Sequence, residues 1–328
     1  MTTMSINRRH LLAVAAAAGA ASTLPLRAAR AQASGSATTG LAQAPAFRRF
    51  TVGDWVVTAL ADGGMTFNSG VLPEMSEADF AEAMEKAFHP PAAYPATINA
   101  FLLQSGDRTI LVDTGGSKQM APTLGNLPAN LAAAGVAPGD VDTILLTHMH
   151  GDHIGGLADA SGAAAYPNAE LVIRARELAF WTDPAEASKI PERQRGTVAA
   201  ATTVANAYEG RLTPFEEDVT VVDGVDAVAL YGHTPGHTGY RIASGDDTLL
   251  IWGDIAHIAP VQLADPGIYI GFDVTPEEAV ATRRRVLDMA ASERMMVAGM
   301  HMPFPGFGHV ARDGEGYAFV PAPWQHTL

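Results

Sequence analysis

Short apolar runs separated by polar turns recur along most of the chain. The runs are rich in Val, Ile and Leu and are bounded by Gly, Asp and Asn, a pattern typical of buried strands. The pattern predicts strands over Trp55–Leu60, Ile98–Gln104, Thr109–Val112, Thr143–Thr147, Leu171–Arg174, Val228–Tyr231, Tyr240–Ala243, Thr248–Trp252 and Met295–Ala298.

Helix signals lie between some of these runs. A capping arrangement predicts a helix from Ser76 to about Phe88, Pro122–Ala134 is followed by a glycine stop, and Thr275 opens a helix to about Ala290. The stretch 175–215 is helical in composition, and we expect it to lack strands and to cover a site. Adjacent strands followed by interspersed helices predict a layered α/β architecture.

The amino terminus has the pattern of an export signal. The pair Arg8-Arg9 precedes a short apolar run, and Ala-x-Ala triplets follow it. We expect residues 1–33 to be a twin-arginine-type signal peptide, 34–46 a flexible linker and 47–328 the folded domain. The protein would then be periplasmic or secreted. The apolar run is shorter than the roughly 20 residues that span a bilayer, so we expect no membrane anchor. An Ala-rich helical extension of the fold is the alternative.

Composition narrows the classes of function. Of the 328 residues, 48% are hydrophobic and 17% charged, which is typical of a packed globular protein. The net charge is −14, and no acidic residue occurs before Asp54, so the folded part is more acidic than the whole chain. Such a surface repels phosphate backbones, and we expect no nucleic-acid partner. With no cysteine, thiolate metal sites and cysteine nucleophiles are excluded.

A cluster of metal-compatible residues follows the predicted strand Thr143–Thr147. His148, His150, Asp152 and His153 fall within six residues, and imidazole and carboxylate are ordinary ligands of first-row metals. His148 and His150 can converge on one ion. The adjacent Asp152 and His153 would point in different directions, which suggests a second ion. A polar loop without a ligand is the alternative interpretation.

Three later segments supply further ligand candidates at strand ends, where a rigid sheet can hold ligand geometry. His233 and His237 lie in a Gly- and Pro-containing turn, Asp254 closes a hydrophobic strand, and His301 follows the last predicted strand. The local pattern leaves open which histidine of the pair is a ligand. Each residue alone is a weak signal, but their conjunction and order predict a two-metal site.

The set and order of these residues resemble the ligands of the metallo-β-lactamase superfamily, and Leu111–Gly115 resembles its first motif. Over about residues 50–322 the chain is similar to the methyl parathion hydrolase-like branch, which also includes lactonases. The segments that carry this second resemblance are Pro122–Gly125, Thr147–Gly156, Gly232–Thr238, Ala259–Gln262, Phe304–His309 and Gly316-Tyr317.

The resemblance implies an αββα sandwich, with two mixed sheets flanked by helices and two divalent metal ions, preferably Zn²⁺, between the sheets. Asp113 would orient ligands by hydrogen bonding, although a turn-forming role before two glycines is the alternative. The implied ligands are His148, His150 and His237 for the first ion, Asp152, His153 and His301 for the second, and Asp254 bridging both.

The resemblance also implies hydrolysis. A hydroxide that bridges two ions about 3.5–4 Å apart is a nucleophile at neutral pH. Asp254 would hold the ions around it, and Asp152 would assist protonation of the leaving alkoxide. The sequence has no G-x-S-x-G, P-loop or dinucleotide-binding pattern that would indicate different chemistry.

The expected substrate is a small molecule with an apolar portion. In parathion hydrolases aromatic side chains grip the leaving group; Trp181 matches one such position, Met120 replaces an aromatic at another, and 193–197 has none. We therefore expect a lactone or ester, acyl-homoserine lactones included, with phosphotriester hydrolysis as a side activity. His257 would face the pocket, unless it is a packed or surface histidine.

Several alternatives stay open at the level of sequence. The main activity could be phosphotriester hydrolysis. An iron-dependent redox member of the fold and a non-catalytic zinc-binding protein are two further classes, but seven intact ligands with a bridging Asp254 favour a two-metal hydrolase. The oligomeric state is open, and a homodimer is one of the options.

Overall fold

Two seven-stranded mixed sheets, with helices on their outer faces, form the folded part of the chain. The computed structural model describes residues 43–188, 190 and 195–328. The expected signal peptide and most of the expected linker lie outside these residues. Among the described residues, no helix is both long and apolar enough to cross a bilayer.

The first sheet has seven strands that follow one another in chain order across the sheet. Its first four strands are antiparallel, and the last four, counted from Arg108–Val112, run parallel. The strands are β1 (Phe47–Val52), β2 (Trp55–Phe67), β3 (Tyr94–Ser105), β4 (Arg108–Val112), β5 (Thr143–Leu145), β6 (Glu170–Arg174) and β7 (Leu212–Phe215).

The second sheet also follows chain order, and its neighbours are antiparallel except for the pair formed by Asp247–Ile251 and Met296–Ala298. Its strands are β8 (Thr220–Val222), β9 (Val225–Ala229), β10 (Thr238–Ser244), β11 (Asp247–Ile251), β12 (Met296–Ala298), β13 (Phe307–Asp313) and β14 (Gly316–Pro321).

Helices join the strands and cover the sheets. In α1 the side chain of Ser76 accepts a hydrogen bond from the Asp79 N–H, which is the expected cap, and α8 begins with a proline followed by two glutamates. The helices are α1 (Glu77–Lys86), α2 (Leu127–Ala133), α3 (Gly151–Ile154), α4 (Ala175–Thr182), α5 (Pro184–Ala187), α6 (Arg195–Ala207), α7 (Ala259–Gln262) and α8 (Pro276–Ser292), with 3₁₀ turns at Ser69–Val71 and Pro138–Asp140.

Apolar layers hold the four-layer arrangement together. Buried side chains from both sheets, among them Phe101 and Ile251, form the central layer, and Phe50 of β1 stacks on Phe307 of β13 at 3.8 Å between ring centroids. Outer clusters join the first sheet to α4 and α6 and the second sheet to α8. The predicted αββα sandwich is therefore confirmed.

The structure corrects several predicted elements. The helix predicted from Pro122 begins only at Leu127, because the buried Asp62 carboxylate accepts the N–H groups of Gly116, Gly125 and Leu127 and holds the residues before the helix as a loop. The stretch 175–215, predicted to lack strands, ends in β7. This strand is short and half exposed, so alternation does not mark it.

Four other strands lie outside the predicted set. Three of these strands, β1, β8 and β14, are edge strands, and β13 lies beside the edge strand β14. Partly or fully exposed residues interrupt the apolar pattern in all four. Strand β2 also extends seven residues beyond the predicted end at Leu60, past an irregularity at Ala61 and Gly63. The extension matters for function, because it brings Phe67 to the cavity described below.

Candidate metal centre

Loops at the ends of strands from both sheets bring the candidate ligands together. The loop after β5 carries four of them, and the loops after β9, β11 and β12 carry the others. The loop after β5 packs tightly on the loop after β4, since a Cβ at Gly156 would lie only 2.3 Å from the backbone oxygen of Thr114. Glycine is required there because two backbones meet.

One group of ligand atoms surrounds the side chain of His150. Its Nδ1 lies 3.0 Å from His148 Nε2 and 2.9 Å from His233 Nε2. Asp254 Oδ2 completes the group at 3.3 Å from His233 Nε2 and 3.6 Å from His148 Nε2. These four residues form one cluster capable of holding a metal ion.

A second group lies on the other side of Asp254. The short helix α3 turns Asp152 and His153 toward His301, and His301 Nε2 is 3.5 Å from Asp152 Oδ2. His153 Nε2 is 3.8 Å from Asp152 Oδ1. These three residues form a second cluster with metal-compatible geometry.

Asp254 connects the two groups. Its Oδ2 lies 3.2 Å from His153 Nε2 and 3.1 Å from His301 Nε2, in addition to the contacts with the first group. A carboxylate at this point can reach ions on either side. Asp254 therefore lies within contact distance of both groups of candidate ligands.

The structure brings His233 rather than His237 next to His148 and His150. Both ring nitrogens of His237 bond to backbone: Nδ1–H donates to the Leu230 carbonyl at 2.8 Å, and Nε2 accepts the Asp254 N–H at 3.0 Å. Gly253 makes this possible, since a Cβ there would lie 2.3 Å from His237 Nε2. The assignment of His237 as a ligand stays a prediction, and His233 is a second candidate for the same place.

Carboxylates behind the histidines fix their orientation. Asp113 Oδ2 accepts His153 Nδ1–H at 2.8 Å, and its two oxygens also accept the Thr147 N–H and hydroxyl. Asp273 Oδ1 accepts His233 Nδ1–H at 2.8 Å. In both histidines this leaves Nε2 directed at the cluster, which is how carboxylates orient metal-binding imidazoles.

The sequence alone gives no signal for two of these contacts. Asp273 lies in the irregular segment just before the start of α8, where a lone carboxylate is an ordinary polar residue. His233 and His237 share one Gly-Pro-Gly turn, and the local pattern does not choose between them.

Burial and charge oppose each other at the centre. Burial would raise the pKa of the Asp254 carboxyl, but the surrounding imidazoles, His153 first, hold that pKa well below its usual range. Burial lowers the pKa of His148 and His150 well below normal. Although burial also disfavours charge on His153, the carboxylates around it raise its pKa well above normal. Asp254 is therefore ionised and His148 and His150 are neutral at pH 7, as metal binding requires. Against the effect of burial, neighbouring carboxylates favour the protonated form of His153 and raise the pKa of His233 to about 9, so an ion would have to displace those protons.

The chemistry of the donor set fits divalent metal ions. His150 Nδ1 faces two other imidazole nitrogens, and a cation among their lone pairs satisfies contacts that hydrogens alone cannot all satisfy. His153 Nε2 and Asp254 Oδ1 are buried and have no hydrogen-bond partner among the described residues. A buried site with such unpaired polar atoms calls for an ion.

A cavity of about 200 Å³ opens beside the two groups. Met120 and His257 line it, as expected, and His257 Nε2 lies 3.0 Å from Asp254 Oδ2. Trp181 does not belong to the wall, contrary to expectation. It is fully buried behind His150, with its indole N–H bonded to Glu177.

The wall of the cavity is more aromatic than the sequence predicts. Phe67 and Phe272 line the cavity together with Met65. Phe67 lies in the unpredicted extension of β2, and Phe272 in the irregular segment before α8, so neither position drew attention in the sequence.

Fold and site together define a class of protein. The chain belongs to the metallo-beta-lactamase superfamily, whose family model matches residues 93–301. The αββα sandwich and the strand-end clusters agree with this assignment.

Solved structures show how far the likeness extends. The hydrolase AbOPH, described as a member of the beta lactamase superfamily, superposes with a TM-score of 0.81 at 32% identity, over 87% of this chain and 100% of that chain. AidC, a dizinc quorum-quenching lactonase solved with N-hexanoyl-L-homoserine as product, also gives 0.81, at 25% identity over 86% and 99%.

Curated sequences give shorter or more distant matches. The N-acyl homoserine lactonase of Bacillus cereus is 24% identical over 240 residues, 67% of this chain and 84% of that protein. The N-acyl homoserine lactonase AiiB of Agrobacterium fabrum is 36% identical over 76 residues. The matched segment spans about a quarter of the length of AiiB. It also spans about a quarter of two further relatives, the human Metallo-beta-lactamase domain-containing protein 1 and the Beta-lactamase-like protein 2 homolog of Drosophila melanogaster.

Proposed function

We propose that the protein is a dinuclear metal-dependent hydrolase that opens lactones or cleaves esters, with acyl-homoserine lactones among its substrates. One observation carries the proposal: two groups of ligands share Asp254 beside a partly apolar cavity. The similarity to a dizinc lactonase over most of both chains supports it. Zn²⁺ is our preferred ion, because imidazole and carboxylate donors bind it well and the similar lactonase AidC is dizinc.

Two sets of residues would each hold one metal ion. His148, His150, His233 and Asp254 would hold one ion, and Asp152, His153 and His301, with Asp254, the other. Two bound divalent ions supply a water-derived nucleophile at neutral pH and stabilise negative charge on the attacked and leaving oxygens.

Two side chains at the cavity would act on the substrate itself. Asp152 lines the cavity next to His301, and its carboxyl can move a proton to the leaving alkoxide. His257 also faces the cavity and can contact a substrate oxygen. The apolar walls orient the acyl or alcohol portion and exclude water from the other side of the site.

Phosphotriester hydrolysis is the second candidate activity. Phe67 and Phe272 give the cavity aromatic surfaces that an aryl leaving group could stack against. We place it below lactone hydrolysis because Met120 replaces an aromatic residue at another wall.

Metal quantification and a substrate panel test the proposal. We expect two equivalents of zinc and turnover of acyl-homoserine lactones, δ-lactones or aryl esters at least tenfold above a paraoxon-type triester, with a β-lactam lowest. Asp254→Ala should lose both ions and all turnover. A triester preference of tenfold or more would contradict the lactonase assignment. Two ions without any turnover would indicate a zinc-binding protein, and a coloured iron spectrum a redox enzyme.

Met120→Phe tests the role of the cavity wall. A change of that size in a pocket is worth about 1–3 kcal/mol, or roughly 10–200-fold in kcat/KM. We expect the variant to narrow the gap between lactone and triester. An unchanged ratio would mean that Met120, which is 47% exposed, does not touch the substrate.

A further inference from the structure

A buried carboxylate in α4 lies behind the first group of ligands. Glu177 is fully buried. Its Oε1 accepts the Met149 N–H at 3.0 Å and the Trp181 indole N–H at 2.7 Å. Its Oε2 accepts the Gly236 N–H at 2.8 Å. None of the three partners is a proposed metal ligand.

The positions of these partners give the contacts their significance. Met149 is the residue between His148 and His150, and Gly236 lies in the turn that carries His233. Glu177 therefore joins two loops that come from different sheets and that together carry the three histidines proposed to hold one ion. The Trp181 ring, held by the same oxygen, lies 5.4 Å from the His150 ring between centroids.

Local backbone shape depends on this contact. A Cβ at Gly236 would lie 2.4 Å from the Cβ of Glu177, so only glycine lets the turn approach α4 closely enough for its N–H to reach the carboxylate. The hydrogen bond therefore requires both a glycine at position 236 and a carboxylate at Glu177.

Energetics argue against a mere packing role. Burial raises the pKa of the Glu177 carboxyl, which means that the site disfavours its charge, while the nearby Thr234 hydroxyl and the three N–H donors oppose that effect. An apolar side chain of similar size would avoid the desolvation cost but would leave buried N–H groups without acceptors. The carboxylate therefore accepts the buried N–H groups of the two loops and holds the loops together.

We propose that Glu177 is a positioning residue that sets the spacing of His148, His150 and His233 by tying their two loops together. The inference rests on the proposed metal centre, but it concerns one ion only. The second group, Asp152, His153 and His301, has no hydrogen bond to Glu177 among the described residues.

Glu177→Gln is the direct test, because the amide keeps the size and replaces one acceptor with a donor. We expect a folded protein whose ion at the first group binds roughly tenfold to hundredfold more weakly, while the second ion keeps its affinity. Chelator competition measures both affinities, and the absorption spectrum of the Co²⁺-loaded protein reports the ligand geometry. Trp181→Phe removes one donor but leaves both loops joined, so it should change affinity less than threefold.

Matched variants complete the design. Glu209→Gln removes an exposed carboxylate and should bind both ions as the wild type does. If Glu177→Gln does not fold, Gly236→Ala tests the same contact from the other loop and should weaken the same ion. A folded Glu177→Gln variant with wild-type affinities and an unchanged Co²⁺ spectrum would overturn the inference, as would equal weakening of both ions. Wild-type protein that binds two ions but hydrolyses no ester would overturn the proposed function and leave this inference standing.

Discussion

His233 and His237, four residues apart, make different contacts in this structure. His233 presents Nε2 to the ligand group, whereas His237 bonds with both nitrogens to backbone. His233→Ala should therefore reduce bound metal from two equivalents to about one and abolish hydrolysis. His237→Asn should keep both ions and lose stability. Metal analysis of the two purified variants distinguishes them, and the opposite result would restore the ligand set predicted from sequence.

His237 also makes stability depend on pH. Burial lowers the pKa of His237 to about 3. Below about pH 6.5 the unfolded chain takes up a proton at this residue and the folded chain does not, so its contribution is complete above that pH and is lost as pH falls toward 3. In chelator-treated protein, the stability gap between wild type and His237→Asn should shrink by roughly 1 kcal/mol between about pH 7 and pH 5.5. Urea unfolding measures it, and a gap that grows on acidification would contradict the assignment.

At the scale of elements, the loop between β4 and α2 owes its shape to one residue of β2. Asp62 accepts three backbone N–H groups from this loop and the start of α2, and the loop carries Met120 to the cavity. Asp62→Ala should cost roughly 1–3 kcal/mol for each buried N–H left without an acceptor. It should also speed amide exchange at Gly116, Gly125 and Leu127.

A matched variant separates this effect from a general loss of charge. Asp107 is exposed in a hairpin turn, and Asp107→Ala should change the free energy of unfolding by no more than about 0.5 kcal/mol. Equal effects of the two substitutions would mean that Asp62 does not organise the loop.

For the whole molecule, the proposed ions would join the two sheets. The loop after β5 belongs to the first sheet, whereas Asp254 and His301 follow strands of the second. Metal that binds only the folded state stabilises it by about 4 kcal/mol at a thousand times Kd. Chelation should therefore lower Tm by several degrees, measured by calorimetry, and zinc should restore it. His148→Ala should show a smaller shift, and an unchanged wild-type Tm would argue against ions between the sheets.

Export is the other prediction at this scale. Because the twin-arginine route reads an arginine pair, replacing Arg8 and Arg9 with lysines should leave precursor in the cytoplasm. Fractionation followed by detection of the protein measures this. Undiminished periplasmic protein in the double variant would indicate the general secretory route, and an uncleaved amino terminus would indicate a helical extension.

The sequence by itself determined the type of fold and most of the centre. Donor residues at strand ends, above all His148-x-His150-x-Asp152-His153, are local patterns, and the apolar runs of central strands are continuous because both faces are buried. Such features are visible in the sequence alone. A layered α/β architecture and a cluster of metal-compatible residues follow from these features, and the αββα sandwich follows from the family resemblance that the same residues carry.

Only the tertiary structure decided what depends on contacts between distant segments. The different surroundings of His233 and His237 depend on the Leu230 carbonyl and the Asp254 N–H, which no local sequence pattern links to either histidine. Burial of Trp181 rests on its bond to Glu177. The edge strands, the aromatic residues at the cavity and the carboxylates behind the ligands also depend on contacts between distant segments. Their roles are set by hydrogen bonds and packing across the fold, and sequence spacing does not encode those directly.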